Sequence, residues 1–348
     1  MIPPDFIEKL PFLVRPENIA RYENGKVYIL DRRIYPFEIR FVECVTYEEV
    51  AQAIENMVTQ SLGPAYAAAC GMILAARENQ SRQGEIFLES MNMAGQRILH
   101  TRPTNHEIRE TVSGMLEFLN FHFQQKLKSG EEILLEYMDW MITTRHMNSL
   151  HLGKFGATII QSGDTILTHC WPETTLIYTI LEALNQGKQL KAYCSETRPY
   201  LQGSRLTATA LIDMGVPVTV ITDNMPATLL SQGKIQVFLA GSDRTTLDGH
   251  VINKVGTLQI AICAKRYQVP FYAFAYGPDI QAKTFQDVPI EERNPSEVLQ
   301  IRGLPTASPR ASGTYPAFDV TPPELITGII TDKGVFAPDQ IGDYLIKP

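Results

Sequence analysis

Chemistry-bearing side chains recur after short apolar runs in the second half of the chain. Cys170 follows Thr165–His169. Ser195-Glu196-Thr197-Arg198-Pro199-Tyr200-Leu201-Gln202-Gly203-Ser204-Arg205 follows Leu190–Cys194. Asp223-Asn224-Met225 follows Val216–Thr222. Gly241-Ser242-Asp243-Arg244, then Gly249 and Asn253-Lys254-Val255-Gly256-Thr257, follow Ile235–Ala240. If these runs are parallel strands, the segments share one rim at the strand carboxyl ends. Open parallel sheets bind ligands there, near a switch in strand order. A thiol, carboxylates, amides and cations on one rim make a polar small-molecule site. The absence of G-x-G-x-x-G and G-x-x-x-x-G-K-[ST] counts against a dinucleotide or nucleoside triphosphate bound in the usual way. With no H-E-x-x-H and no tight His/Asp/Cys cluster, neither a catalytic metal nor a cofactor is implied.

The elements that must position these residues follow from periodicity. Between residues 165 and 276, apolar runs of about five to seven residues alternate with helical spacing, as at Thr174–Asn185, Leu206–Asp213, Ala227–Ser231 and Thr257–Tyr267. That alternation predicts βαβ units and a parallel sheet. Residues 277–320 carry many prolines and little period, and read as a long loop packed over the sheet. Leu325–Ile330 reads as one last strand or helical turn. In the first half, Asn24-Gly25 between apolar runs signals a hairpin, and residues 37–45 read as a second strand pair. From Tyr47 to about Asn148 the spacing is helical, with a methionine and aromatic stripe that reads as core.

The chain has 348 residues, of which 44% are apolar and 20% charged. At roughly 150 residues per domain this suggests two domains, here 1–148, mainly helical with short strands, and 149–348, a Rossmann-like α/β domain. A net charge of −7 without a basic block disfavours nucleic-acid and anionic-membrane partners. The five cysteines, at 44, 70, 170, 194 and 263, are odd in number and form no C-x-x-C. A disulfide framework and a structural zinc site are therefore not expected. The opening Met-Ile-Pro-Pro-Asp-Phe does not read as a signal peptide, and no run of 18 apolar residues occurs, so a cytoplasmic location is expected.

An ordered series of motifs then carries a family resemblance. It comprises Glu196-Thr197-Arg198-Pro199, Leu201-Gln202-Gly203-Ser204-Arg205-Leu206-Thr207-Ala208, Ile221-Thr222-Asp223-Asn224-Met225, Gly241-Ser242-Asp243-Arg244, Asn253-Lys254-Val255-Gly256-Thr257, Pro289-Ile290-Glu291-Glu292-Arg293 and Pro316-Ala317-Phe318-Asp319-Val320-Thr321-Pro322. The series resembles the methylthioribose-1-phosphate isomerase family, which is related to the regulatory subunits of initiation factor 2B and to ribose-1,5-bisphosphate isomerases. In the helical half the likeness thins to Thr101-Arg102-Pro103-Thr104 and Gly63-Pro64-Ala65.

The resemblance implies conversion of an aldose 1-phosphate to a ketose 1-phosphate, a site in the cleft between the two domains, and a homodimer. Phosphate on carbon-1 blocks simple ring opening. The ring carbon–oxygen bond must therefore break with acid help before hydrogen moves between carbon-2 and carbon-1. By position the family's acid maps onto Asp243 and its cysteine onto Cys170. Gln202, Asn253 and Lys254 match substrate-binding positions, and Arg102 matches the phosphate-binding arginine. Cys170 would serve as a base or as a polarisable wall beside the migrating hydrogen. Apart from the resemblance, a free cysteine at a strand end is ordinarily a small buried hydrophobe. Asp243 could equally cap a helix or pair with Arg244. Arg205 reads as a structural ion-pair partner, His169 as lying on the opposite strand face, and Cys44, Cys70, Cys194 and Cys263 as packing residues.

Two departures touch specificity. The family's Arg-Gly-Ala-Pro-Ala is replaced by Ser61-Leu62-Gly63-Pro64-Ala65, without the arginine. Its Cys-Asn-Ala-Gly becomes Cys170-Trp171-Pro172-Glu173. Pro172 removes an N–H that could meet phosphate, and an inward Glu173 would repel a dianion. Trp171 could stack on a sugar face or plug the site. Methylthioribose 1-phosphate is the expected substrate, with 5-deoxyribose 1-phosphate or ribose 1,5-bisphosphate as alternatives for a divergent paralogue. A non-catalytic binding protein like the initiation-factor subunits is the reading from another class.

Overall fold

In the computed structural model, which describes residues 7–103, 105–123 and 128–347, the chain forms two compact units, Met1–His146 and Met147–Pro348. The opening hexapeptide and Thr104 lie outside the described residues.

The first unit starts with a three-stranded antiparallel sheet of β1 (Ala20–Glu23), β2 (Lys26–Leu30) and β3 (Phe41–Cys44). Asn24 and Gly25 both have positive φ (52° and 77°), as a two-residue type I′ hairpin requires. Of the second strand pair read at 37–45, only β3 exists, paired with β2 from Val27↔Cys44 to Leu30↔Phe41. The preceding residues turn instead. Thr46 and Glu49 form a capping box that starts α1 (Tyr47–Glu55). Helix α2 (Gly63–Glu78) is buried almost all round, which makes it the central helix of the unit. Its alanines and Gly71 let neighbours approach closely; a Cβ on Gly71 would meet Val50 Cγ1 at 3.0 Å. Helices α3 (Gly84–Leu99), α4 (His106–Phe123) and the first part of α5 (Gly130–Ile159) complete this core.

The second unit is built on β4 (Thr165–His169), α6 (Thr174–Asn185), β5 (Lys191–Ser195), α7 (Ala208–Asp213), β6 (Val218–Ile221), α8 (Pro226–Ser231), β7 (Val237–Gly241), β8 (Arg244–Thr245), β9 (Val251–Lys254), α9 (Thr257–Arg266), β10 (Phe271–Phe274), β11 (Phe318–Thr321), β12 (Gly328–Thr331) and β13 (Gly334–Phe336). Its main sheet has the order β13-β12-β10-β7-β4-β5-β6. All its pairings are parallel except β12 with β13. From β4 the chain winds outward through β5 and β6, then returns to β7 on the other side. The topological switch point therefore lies between β4 and β7. Phe238 and Phe271 stack in the core beneath, with centroids 4.5 Å apart.

Several short elements differ from the sequence reading. Asn253 and Lys254 lie on β9, a buried strand rather than a rim loop. It forms a second antiparallel sheet with β8 and β11. β11 closes the segment 277–320 that reads as loop. The helix expected from Leu206 is preceded by a π-helical turn, Gly203–Thr207. Leu325–Ile330 divides into a short 3₁₀ turn and the start of β12.

Helix α5 meets α6 through glycine. A Cβ on Gly153 would stand 2.7 Å from the Tyr178 carbonyl carbon and 2.8 Å from its oxygen, and backbone cannot yield as a side-chain tip can. Gly153→Ala is expected to cost about 1–3 kcal/mol of overpacking. Urea denaturation would read this as a lower midpoint with an unchanged m-value.

Candidate functional site

Cys170 leaves the end of β4, and Gly241 ends β7 beside it, across the register pair His169↔Ala240. The Cys170 backbone has φ +62°, a conformation that costs a non-glycine residue energy unless its surroundings enforce it. Two threonines do so. The Cys170 N–H donates to Thr197 Oγ1 (2.9 Å), and the Thr207 hydroxyl donates to the Cys170 carbonyl. Thr197 is fixed in turn by Asp223, whose carboxylate accepts the N–H groups of Thr197 (2.8 Å) and Arg198 (2.7 Å).

His169, read as facing away from the chemistry, is a buried brace. Burial lowers its pKa, so the ring is neutral and carries one N–H. Nε2 lies 3.0 Å from the Val255 carbonyl, which can only accept, so Nε2 holds the proton. Nδ1 then accepts from the Ser195 hydroxyl at 2.6 Å. One ring thereby ties the ends of β4, β5 and β9.

Asp243 lies in the turn from β7 to β8, where its N–H donates to the Ile252 carbonyl (2.9 Å). Arg244 turns to Asp279, with Nε 2.8 Å from Oδ2. Asn253 is buried. Its Nδ2 donates to Thr257 Oγ1 (2.9 Å), and its Oδ1 is 3.9 Å from where a Gly241 Cβ would sit. Lys254 is buried, its Nζ without a hydrogen-bond partner and 4.7 Å from the Phe318 ring centroid. Burial, then the Arg293 charge, lowers its pKa to about 8, while Cys170, Asp243 and Glu291 pull the other way. Cys170 retains partial access to solvent, yet burial pushes its thiol up to about 12. Asp243 adds to that shift, and Lys254 and Arg293 oppose it. The structure thus brings Cys170, Asp243 and Lys254 into one electrostatic cluster. Gln202, at the head of the π-helical turn, is also buried with an unpartnered Oε1.

Glu291, Arg293 and Tyr315 join this cluster and had no role in the sequence reading, although Glu291 and Arg293 fall within a quoted motif. Arg293 Nε donates to Glu291 Oε1 (3.0 Å), and the Arg293 N–H donates to the Tyr315 carbonyl (2.9 Å). Trp171 is buried and donates its indole N–H to Glu173 (2.9 Å), itself buried. Arg205 stands 4.6 Å over the Tyr200 ring and donates to the Tyr200 carbonyl. Among the described residues, no group of three or more His, Cys, Asp or Glu side chains is arranged to hold a metal ion.

The remaining candidates belong to the first unit. Arg102 lies in the turn between α3 and α4, where its carbonyl accepts from the Asn105 N–H (3.0 Å). Ser61 is exposed with φ +58°, Leu62 is buried, and Gly63 opens α2. A fully buried guanidinium reaches this stretch from the end of β2: Arg32 Nη1 donates to the Gln60 carbonyl (2.7 Å).

The chain matches the initiation factor 2 subunit family over residues 60–338. It belongs to that family. Within the initiation factor 2 subunit family, it is 37% identical over 341 residues to the methylthioribose-1-phosphate isomerase of Thermosipho melanesiensis, covering 91% of this chain and 94% of that protein. The crystal structure of 5-methylthioribose 1-phosphate isomerase from Pyrococcus horikoshii superposes with a TM-score of 0.84 at 31% identity, over 99% of this chain and 98% of that one. Subunit delta of the translation initiation factor eIF-2B from A. fulgidus superposes with a TM-score of 0.79 at 29% identity, over 93% and 96%.

The Lys254 ammonium carries a prediction about stability. Its pKa is lower folded (about 8) than in the free side chain (10.5). Between these values the unfolded chain binds the extra proton, so stability contributed by this residue rises with pH. The penalty is full below pH 8 and relieved by about pH 10.5, amounting to at most about 3 kcal/mol. Lys254→Met should be more stable than the parent at pH 7 and should flatten this part of the pH–stability profile. A parent profile that is flat or falling from pH 8 to 10 in urea titrations, and unaltered in Lys254→Met, would refute the assignment.

Proposed function

We propose that this chain is an aldose–ketose isomerase that converts a 5-modified ribose 1-phosphate into the ribulose 1-phosphate, with 5-methylthioribose 1-phosphate as its substrate. The observation that carries the reading is the convergence of Cys170, Asp243 and a desolvated Lys254 at the switch point between β4 and β7. The names borne by its relatives support the same reaction. In the same reading it works without a cofactor, as a homodimer in the cytoplasm. No described helix is long and apolar enough to cross a membrane.

Asp243, protonated, gives its proton to the ring oxygen as the bond from that oxygen to carbon-1 breaks. Carbon-1, left electron-poor beside its phosphate oxygen, takes the hydrogen of carbon-2 with its electron pair. The carbon-2 hydroxyl becomes a carbonyl and returns a proton to the Asp243 carboxylate, so atoms and charges balance. A thiol held near 12 is a poor source of thiolate at neutral pH. Cys170 therefore serves as a neutral, polarisable wall beside the migrating hydrogen rather than as a base. Gln202, Asn253, Lys254 and Arg102 hold the sugar phosphate, Lys254 by charge and Arg102 by its bidentate fork. Trp171, Glu173 and the Ser61-Leu62-Gly63 stretch are assigned to specificity at carbon-5.

Proton NMR of the protein with 5-methylthioribose 1-phosphate, 5-deoxyribose 1-phosphate and ribose 1,5-bisphosphate tests the reading. Loss of the anomeric signal should be fastest with the first. In deuterium oxide the product's carbon-1 should carry no solvent deuterium; incorporation would replace hydride transfer with proton transfer. Asp243→Asn is expected to lower kcat by about 10²–10⁴-fold with the fold retained, and Cys170→Ser to lower it as well. Folded protein inert towards all three compounds would favour a non-catalytic binding role.

A further inference from the structure

Tyr315 immediately precedes the Pro316–Pro322 motif and is 2% exposed. Its ring faces two cations, with Lys254 Nζ 5.9 Å and Arg293 Cζ 5.9 Å from the centroid. No acceptor meets its O–H; the Arg293 guanidinium, which can only donate, lies close enough to the hydroxyl oxygen to oppose its pKa shift as a hydrogen-bond donor. Burial raises its pKa, Arg293 opposes the shift, and the Glu297 and Cys170 charges add to it. The group is thus an O–H donor at neutral pH, close enough to Cys170 to respond to its charge.

A buried O–H left unpaired is costly and calls for a reason. Among the described residues, four other buried side-chain polar atoms of this unit share the condition: Thr168 Oγ1, Gln202 Oε1, Lys254 Nζ and Thr321 Oγ1. Gln202 and Lys254 are already assigned to the substrate, and Tyr315 shares with Lys254 a place beside Cys170 and Arg293. Groups that will bind a ligand are held ready by their surroundings while their own polar ends stay open. Tyr315 fits that description. Its backbone is fixed by Arg293, its ring is fixed by packing, and its donor is left over.

We propose that Tyr315 is a substrate-contacting residue, whose hydroxyl donates a hydrogen bond to an oxygen of the bound sugar phosphate beside Cys170 and Lys254. The assignment rests on the isomerase reading and adds to it a donor that the sequence motifs do not contain.

Tyr315→Phe removes the hydroxyl and keeps the ring that faces the two cations. With 5-methylthioribose 1-phosphate, kcat/KM should fall about ten- to a hundredfold. Calorimetric affinity for the ketose 1-phosphate product should fall with it. The Tm of the ligand-free variant should equal or exceed that of the parent, because no unpaired O–H is buried there any longer. Loss of activity together with a lower Tm would mark a structural role and overturn the proposal. Parent-like kcat/KM and product affinity would overturn it while leaving the isomerase reading intact. A parent protein that neither turns over the substrate nor binds the product would overturn both.

Discussion

The site depends on a single buried imidazole. β4 and β5 are held in register by their own ladder, but β9 belongs to a different sheet, and no ladder sets its end against theirs. His169 does so, with Nε2–H on the Val255 carbonyl and Nδ1 on the Ser195 hydroxyl. Its neutral state is what makes the brace work, because an imidazolium would have two donors and none to spare for accepting from Ser195. Gly256 is part of the same device. It has φ +108°, and a Cβ there would lie 3.0 Å from the His169 ring. Asp319 on β11 adds a second tie by accepting the Gly256 N–H (2.6 Å) and the Leu258 N–H (3.2 Å) at the start of α9. Burial lifts its pKa to about 6, and those N–H groups help keep the charged form tolerable.

An ammonium buried without a hydrogen-bond partner and a thiol pushed to about 12 both register the scarcity of water around them. A fold selected for stability alone would fill such a place with apolar side chains. Under the proposed function, holding Lys254 there would serve a dianionic phosphate, whose attraction to the ammonium is least screened where water is excluded. Arg293, clamped by Glu291, keeps the local field positive while its guanidinium remains tied down. The desolvation that destabilises the protein is the same desolvation that would strengthen its grip on the proposed anion.

Much of this was legible in the sequence, and what was not has identifiable causes. β4, β5, β6, β7 and β10 announce themselves as apolar runs bounded by glycine, proline and aspartate. Their rim segments therefore place Cys170 and Asp243 on one edge from the sequence alone. β9 was hidden because two of its four residues are Asn253 and Lys254, polar groups in a fully buried strand. A pattern that equates burial with apolarity cannot find a strand whose inner positions are polar. β11 was masked by the proline-rich segment before it. Tyr315 carried no signal at all, since an unpaired O–H is a property of packing rather than of composition. The role of His169 was missed because strand alternation predicts which face a side chain leaves from, not which neighbouring strand ends it will reach.

The departures at Trp171-Pro172-Glu173 look more severe in sequence than in structure. The conformation of Cys170 is enforced by Thr197 and Thr207, which lie on other segments, so the residues after it are not needed to hold the thiol in place. Glu173 also has a positive φ, +53°, and its carboxylate accepts the Trp171 indole N–H rather than standing alone. Pro172 lies against Gly241, its Cα 3.5 Å from where a Cβ would be, an ordinary packing distance. The altered turn is thus compensated by contacts on both sides. The proposed chemistry and substrate therefore do not require the family's own residues at positions 171–173.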